Sequence, residues 1–142
     1  MRHRVTKRVD RWRQLSKSER RLLLRSAVLV AAVRSSLWML PMRVARRNAC
    51  FAARGVGIDS VEKLAWAVSA AARYFPRATC LTQALALEAL LAQAGHECRV
   101  EIGVAKQQTA GFQAHAWVVH DGAIILGGEE APAYSAILAS SE

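Results

Sequence analysis

A cysteine and a histidine, Cys80 and His115, stand in the two contexts that nucleophilic chemistry needs. Cys80 follows Pro76-Arg77-Ala78-Thr79 and opens an apolar run, 81–94, in which Leu85, Leu87, Leu90 and Leu91 recur at helical spacing. That places the thiol on the first turn of a helix. Unpaired backbone N–H groups and the positive end of the helix dipole favour negative charge there, which makes such a thiol a usable nucleophile at neutral pH. His115 lies in Ala114-His115-Ala116-Trp117-Val118-Val119, which reads as a strand. The distance between thiol and imidazole along the chain is immaterial when the fold closes it. Cys80 would attack a carbonyl, His115 would hold the proton and return it to the leaving amine, and the Cys80 N–H would help bind the oxyanion. This chemistry requires no metal and no cofactor.

The elements that must position the pair follow from the periodicity. Ser16-Lys17-Ser18-Glu19 is a capping box, so a helix starts there, with Leu22, Leu23, Leu24, Val28, Leu29 and Val33 as its apolar face. Pro41 ends or kinks it. A second, basic helix carries Arg43, Arg46 and Arg47 among Val44, Ala45, Cys50 and Phe51. Asp59-Ser60-Val61-Glu62 predicts a third helix, with Asp59 as its cap and Val61, Leu64, Ala65, Val68 and Ala72 inward, until Pro76 stops it. The Cys80 helix ends at Gly95, a residue suited to a left-handed C-terminal cap. From His96 the period becomes two: Cys98, Val100, Ile102 and Val104 alternate with polar or small residues as in a half-buried strand. Residues 106–113 read as a polar loop, and strands 114–120 and 123–126 flank Asp121-Gly122, a hairpin turn. The tail from Ala131 lays a few apolar residues on the domain and then frays. The predicted fold is α+β, with N-terminal helices and a Cys-bearing helix packed on a small antiparallel sheet.

Composition sets the outer limits. The chain has 142 residues, of which 53% are apolar, enough for one domain with a real core. We divide it into a basic helical region, 1–55, and a core, 56–142, that form one continuous domain. Three widely spaced cysteines without a CxxC suggest neither a disulfide framework nor a zinc knuckle, so a reducing, cytoplasmic setting fits best. The N-terminus is basic and lacks the early apolar stretch of a signal peptide. The apolar run 27–33 falls short of the roughly 20 residues that a membrane span needs. The formal charge is +9, and 15 of the 20 Lys and Arg precede residue 55. Such asymmetry points to an acidic partner. Nucleic acid is not expected, since Trp12 and Trp38 sit in apolar contexts rather than among the basic groups.

Arg77-Ala78-Thr79-Cys80-Leu81, Leu90-Leu91-Ala92-Gln93-Ala94-Gly95, Val100-Glu101-Ile102-Gly103-Val104 and Ala114-His115-Ala116-Trp117-Val118 together resemble the B2 proteins of lasso-peptide biosynthesis, a transglutaminase-like cysteine protease family. Ser18-Glu19-Arg20-Arg21-Leu22-Leu23-Leu24 and Trp38-Met39-Leu40-Pro41 resemble that family's N-terminal helices, so the likeness covers most of the chain. It implies a papain/transglutaminase-like core and leader-peptide removal from a ribosomal precursor, with Cys80 as nucleophile and His115 as general base and acid. The implied partners are the precursor leader, a small leader-recognition (B1-type) protein and a lasso cyclase.

The resemblance also implies a third, acidic member that orients the imidazole. Asp121 is the aspartate nearby, yet at the hairpin tip it stands six residues from His115, roughly 20 Å along a strand. His115 pairs instead near Gly127 and Gly128, followed by Glu129 and Glu130. We therefore favour Glu129, with Asp121 reached through a longer bend, or a backbone carbonyl or amide, as alternatives. Phe112 and Trp117 are candidate substrate contacts. Two other classes of function stay open: a non-catalytic basic module that binds peptide or nucleic acid, and a transglutaminase-type acyl transferase in which an amine resolves the thioester.

Overall fold

Ser16 starts the first long helix. Its hydroxyl accepts the Glu19 N–H at 3.2 Å while the Glu19 carboxylate accepts the Ser16 N–H at 2.7 Å, which satisfies two groups that the helix leaves unpaired. The Ser16 backbone N–H, then its hydroxyl, hold the Glu19 carboxyl below the ordinary carboxylate range. The computed structural model describes residues 10–55, 59–75, 78–107, 111–128 and 135–140. Helix α1 spans Lys17–Met39. Pro41 ends it and becomes the N-cap of α2, Met42–Ala52, because proline lacks the N–H that a continuing helix would use.

Helix α3 covers Val61–Ala72 and α4 covers Cys80–Gln93. The cap of α3 is Ser60, not Asp59: the Ser60 hydroxyl accepts the Lys63 N–H at 3.3 Å, and Asp59 instead pairs with the Lys63 ammonium at 3.0 Å. Helix α4 ends as its glycine predicts. Gly95 takes φ +82°. Its N–H donates to Ala92 O at 3.2 Å and the His96 N–H to Leu91 O at 2.8 Å, the paired bonds of a Schellman cap.

Helix α4 is apolar around most of its circumference, with Ala84, Leu85, Ala86, Leu87, Ala89, Leu90 and Leu91 all buried and the polar Gln83 and Glu88 half-exposed. A helix so nearly apolar all round belongs in the interior. The other three helices pack around it, as do the first two strands. Leu29, Val30 and Val33 of α1, Leu64 and Val68 of α3, and Leu87 and Leu91 of α4 share one core with Val118 of the sheet. Arg46 ties α2 to α4 through two hydrogen bonds to the Glu88 carboxylate, one of them 2.7 Å long. Helix α1 is long and apolar enough, by length and composition alone, to cross a bilayer. The run at 27–33 understates this length, since leucines on both sides extend it. Its inward side is the core just described, while Leu24, Val28, Trp38 and Met39 are exposed.

The sheet consists of β1 Arg99–Gln107, β2 Gly111–His120, β3 Ala123–Leu126 and β4 Ser135–Ser140, in the order β3-β2-β1-β4. All neighbours are antiparallel. Strands β1 and β2 pair from Arg99↔Val119 to Gln107↔Gly111, so the predicted loop 106–113 shrinks as both strands extend into it. The tail does not fray: β4 pairs with β1 from Val100↔Ser140 to Val104↔Ser135. The reason is that β1 lies against β2 on one side only, and its other edge offers N–H and C=O groups that need partners. Asp121 and Gly122 turn β2 into β3 with φ +47° and +77°, the left-handed pair that matches strand twist. The architecture is α+β.

The buried centre of α4 carries a stability prediction. Leu87→Ala should lower unfolding free energy by about 3 kcal/mol in a urea titration, whereas Trp38→Ala should change it by less than about 0.5 kcal/mol. Equal effects would contradict the placement of α4.

Candidate active site

Thr79 caps α4, its hydroxyl accepting the Thr82 N–H at 3.3 Å, and Cys80 is the first helical residue. A cap at that point follows from the preceding turn: a threonine in extended conformation supplies an oxygen to first-turn amides that have no carbonyl behind them. The Cys80 thiol is partly exposed. Its own N–H is one of the first-turn amides that the helix leaves unpaired, so an oxyanion formed beside the sulfur has a donor.

His115 is held from β2 and is buried. Its Nε2 lies 3.0 Å from the Gly127 carbonyl oxygen. A carbonyl only accepts, so Nε2 carries the proton, and in the neutral ring Nδ1 is the basic nitrogen. The Gly127 carbonyl reaches this position through a break in the ladder. Val118 faces Leu126 but Val119 faces Ile124, so Ile125 bulges and re-aims the chain that follows. Gly127 itself has φ +79°, and a Cβ there would meet the Ala116 carbonyl oxygen at 2.8 Å and Trp117 Cβ at 3.1 Å. Only glycine fits.

Cys80 and His115 line the same cleft, of about 750 Å³, along with Ser69, Gln83, Gly127 and Gly128. The fold thus brings together the two residues singled out by type. Gln83 and Ser69 were not anticipated. Gln83 was legible in principle, since it stands three residues after Cys80 on the same helix face; its side-chain amide donates to Ala78 O at 3.4 Å. Ser69 gives no signal among the apolar residues Ala67, Val68, Ala70 and Ala71 that flank it.

The remaining candidates divide differently. Asp121 does not reach His115: it occupies the hairpin turn, where its carboxylate lies 3.3 Å from Nε2 of the neighbouring His120. The backbone carbonyl of Gly127 takes the orienting position instead. Glu129 lies outside the described residues, as does the Phe112 side chain. Trp117 is not a substrate contact but packing: it is 4% exposed, its Nε1 donates to Glu101 at 2.8 Å, and its ring stacks 6.1 Å from the His115 ring. Two further histidines point elsewhere, His120 donating to Glu97 O at 2.6 Å and His96 contacting Asp59 O at 3.2 Å. Cys98 is half-buried, and burial first, then the Glu88 carboxylate, push its thiol up to about 11, against the opposing pull of Arg46. Among the described residues no three His, Cys, Asp or Glu side chains gather as a metal ion would need.

Residues 26–139 match the family model of the transglutaminase-like superfamily, a span that includes α2, α3, α4, β1 to β3 and all but the last residue of β4. The chain belongs to this superfamily. Transglutaminase-like proteins are typically cysteine-dependent hydrolases or acyltransferases, which agrees with a thiol and an imidazole sharing a cleft. No curated protein and no solved structure matches the chain.

Two outcomes test this site. Thiolate is the reactive form of cysteine, so iodoacetamide at about pH 7 should label Cys80 and leave Cys98 unmodified, with Cys98 labelling rising only as pH approaches about 11. Peptide mapping that finds Cys98 labelled as fast as Cys80 at neutral pH would contradict it. Gly127→Ala should displace the carbonyl that holds His115 and lower kcat/KM by about a hundredfold while circular dichroism stays native. Undiminished activity would mean that this carbonyl does not orient the ring.

Proposed function

We propose that this transglutaminase-like protein is a cysteine peptidase that removes the leader from a lasso-peptide precursor, working with a small leader-recognition protein and passing the core peptide to a cyclase. The observation that supports it most is the shared cleft: a thiol on the first turn of α4 and an imidazole whose Nε2 is tethered to Gly127 O. The motif resemblance around Thr79-Cys80-Leu81 and His115-Ala116-Trp117 narrows the class to leader removal.

The residues divide the work as follows. Nδ1 of His115 takes the Cys80 proton, and the sulfur attacks the scissile carbonyl. The resulting oxyanion is met by the Cys80 N–H. As the tetrahedral centre collapses, the C–N bond breaks and the imidazolium returns the proton to the leaving amine, leaving a thioester on Cys80. His115 then takes a proton from water, whose oxygen displaces the sulfur and releases the new carboxyl terminus. A second reading differs only in that last step, with an amine in place of water; membership of a superfamily that holds both hydrolases and acyltransferases supports keeping it.

Mass spectrometry of a precursor co-expressed with this chain and its neighbouring open reading frames separates the readings. Hydrolysis yields two peptides whose masses sum to the precursor plus one water. Acyl transfer yields a linked product. Cys80→Ala should leave the precursor uncut, and His115→Gln should slow cutting by about a hundredfold or more. Cutting that persists in Cys80→Ala would refute the proposal, and binding without any Cys80-dependent product would identify a non-catalytic module.

A further inference from the structure

We propose that the trough between α2 and α4 is a second binding site, one that holds an acidic stretch of the polypeptide whose scissile bond enters the Cys80 cleft; this rests on the peptide-processing reading above. A cavity of about 970 Å³, larger than the Cys80 cleft, lies at the far end of α4, where Arg43, Arg46 and Arg47 face the approach to β1. A neighbouring cavity of about 510 Å³ shares Arg47, Cys50 and Ala92 with it and continues past Phe51 and Arg54. The two form one continuous trough.

Its α2 side is a row of a single sign. Arg43, Arg47 and Phe51 recur at intervals of four, which puts them on one face of α2 about 12 Å long, and Arg54 continues the row from the turn just past the helix end. Arg46 is already committed to Glu88. Arg43, Arg47 and Arg54, by contrast, make no ion pair with a carboxylate among the described residues. Arg54 rests 5.0 Å from the centroid of the Phe51 ring, a stacked arrangement that leaves its edge N–H donors available. Exposed guanidinium groups aligned in this way match carboxylates spaced along a chain.

The opposite rim selects among anions. It carries Glu97 and Asp121 beside Arg99, so a polyphosphate backbone would meet like charge at two points there, and nucleic-acid grooves of this kind stack bases on several large aromatics where this one has the single phenyl ring of Phe51. An anionic bilayer presents a plane and does not enter a trough. A peptide fits both rims, since it can direct carboxylates to the arginine row and apolar side chains to the floor of Ala92 and Val119.

Position along α4 gives a spacing rule. Cys80 and Ala92 are 12 residues apart on one helix, about 18 Å, so an extended peptide needs about six residues to bridge them. An acidic block at least that far from the cut would raise the local concentration of the scissile bond, lowering KM and leaving kcat alone.

The test uses the full-length Cys80→Ala chain and fluorescence anisotropy with a labelled peptide of alternating Glu and Leu, compared with the same peptide carrying Gln for Glu. The acidic peptide should bind about tenfold or more tightly than the Gln peptide, and R43Q/R47Q/R54Q should lose that advantage. R11Q/R13Q/R21Q, which removes the same charge from exposed arginines outside the trough, should retain it within about twofold. Equal loss in the two triple variants, equal binding of the Glu and Gln peptides, or an oligonucleotide or phosphatidylserine vesicle that binds more tightly than the peptide would overturn the proposal. Failure to bind with Cys80-dependent cutting intact removes the trough and spares the peptidase. Binding without such cutting overturns the inference as written, because the peptide held would not be a substrate.

Discussion

The interior position of α4 is the constraint on which the rest depends. A helix that buries Ala84 to Leu87 and Ala89 to Leu91 cannot rotate or slide without exposing apolar surface, so its first turn is fixed relative to the sheet. The reactive candidate sits at that first turn. Rigidity built in the core is thereby delivered to a thiol at the surface, and the partly exposed sulfur needs no scaffold of its own.

The partner group is held by different means. His115 is positioned by a strand, by Trp117 stacked beside it and by a backbone carbonyl that a bulge and a left-handed glycine bring into range. A carbonyl orients the ring and sets its tautomer but carries no net charge. It therefore contributes alignment rather than the charge that a carboxylate would add to an imidazolium. Alignment at this site is thus a property of main-chain geometry around Gly127, which explains why the side chain at that position is absent.

Much of this is legible in the sequence, and what is not has physical causes. Helix starts and stops were legible because Ser16, Pro41, Thr79 and Gly95 act through local chemistry. The cap of α3 was displaced by one residue because Asp59 and Ser60 are both good caps, and only the geometry of the Lys63 amide and ammonium distinguishes them. Cys80 and His115 stood out by type and context. The orienting group was narrowed to the region of Gly127, with a backbone carbonyl among the alternatives, but which carbonyl faces the ring depends on the bulge at Ile125, and that exists only in the folded sheet. Strand β4 was missed for a similar reason: its pairing depends on an open edge of β1, which exists only once the sheet is assembled. Trp117 drew attention as an aromatic beside the histidine, and it shares that strand face, but it is packed against the ring with its Nε1 bonded to Glu101.

The central claim is that the Cys80 sulfur and the His115 ring work as a pair. Its most direct measure is the rate at which iodoacetamide alkylates Cys80 at neutral pH in the native chain and in His115→Ala. Pairing predicts a fall of about tenfold or more when the imidazole is removed. An unchanged rate, with the variant folded, would contradict the account.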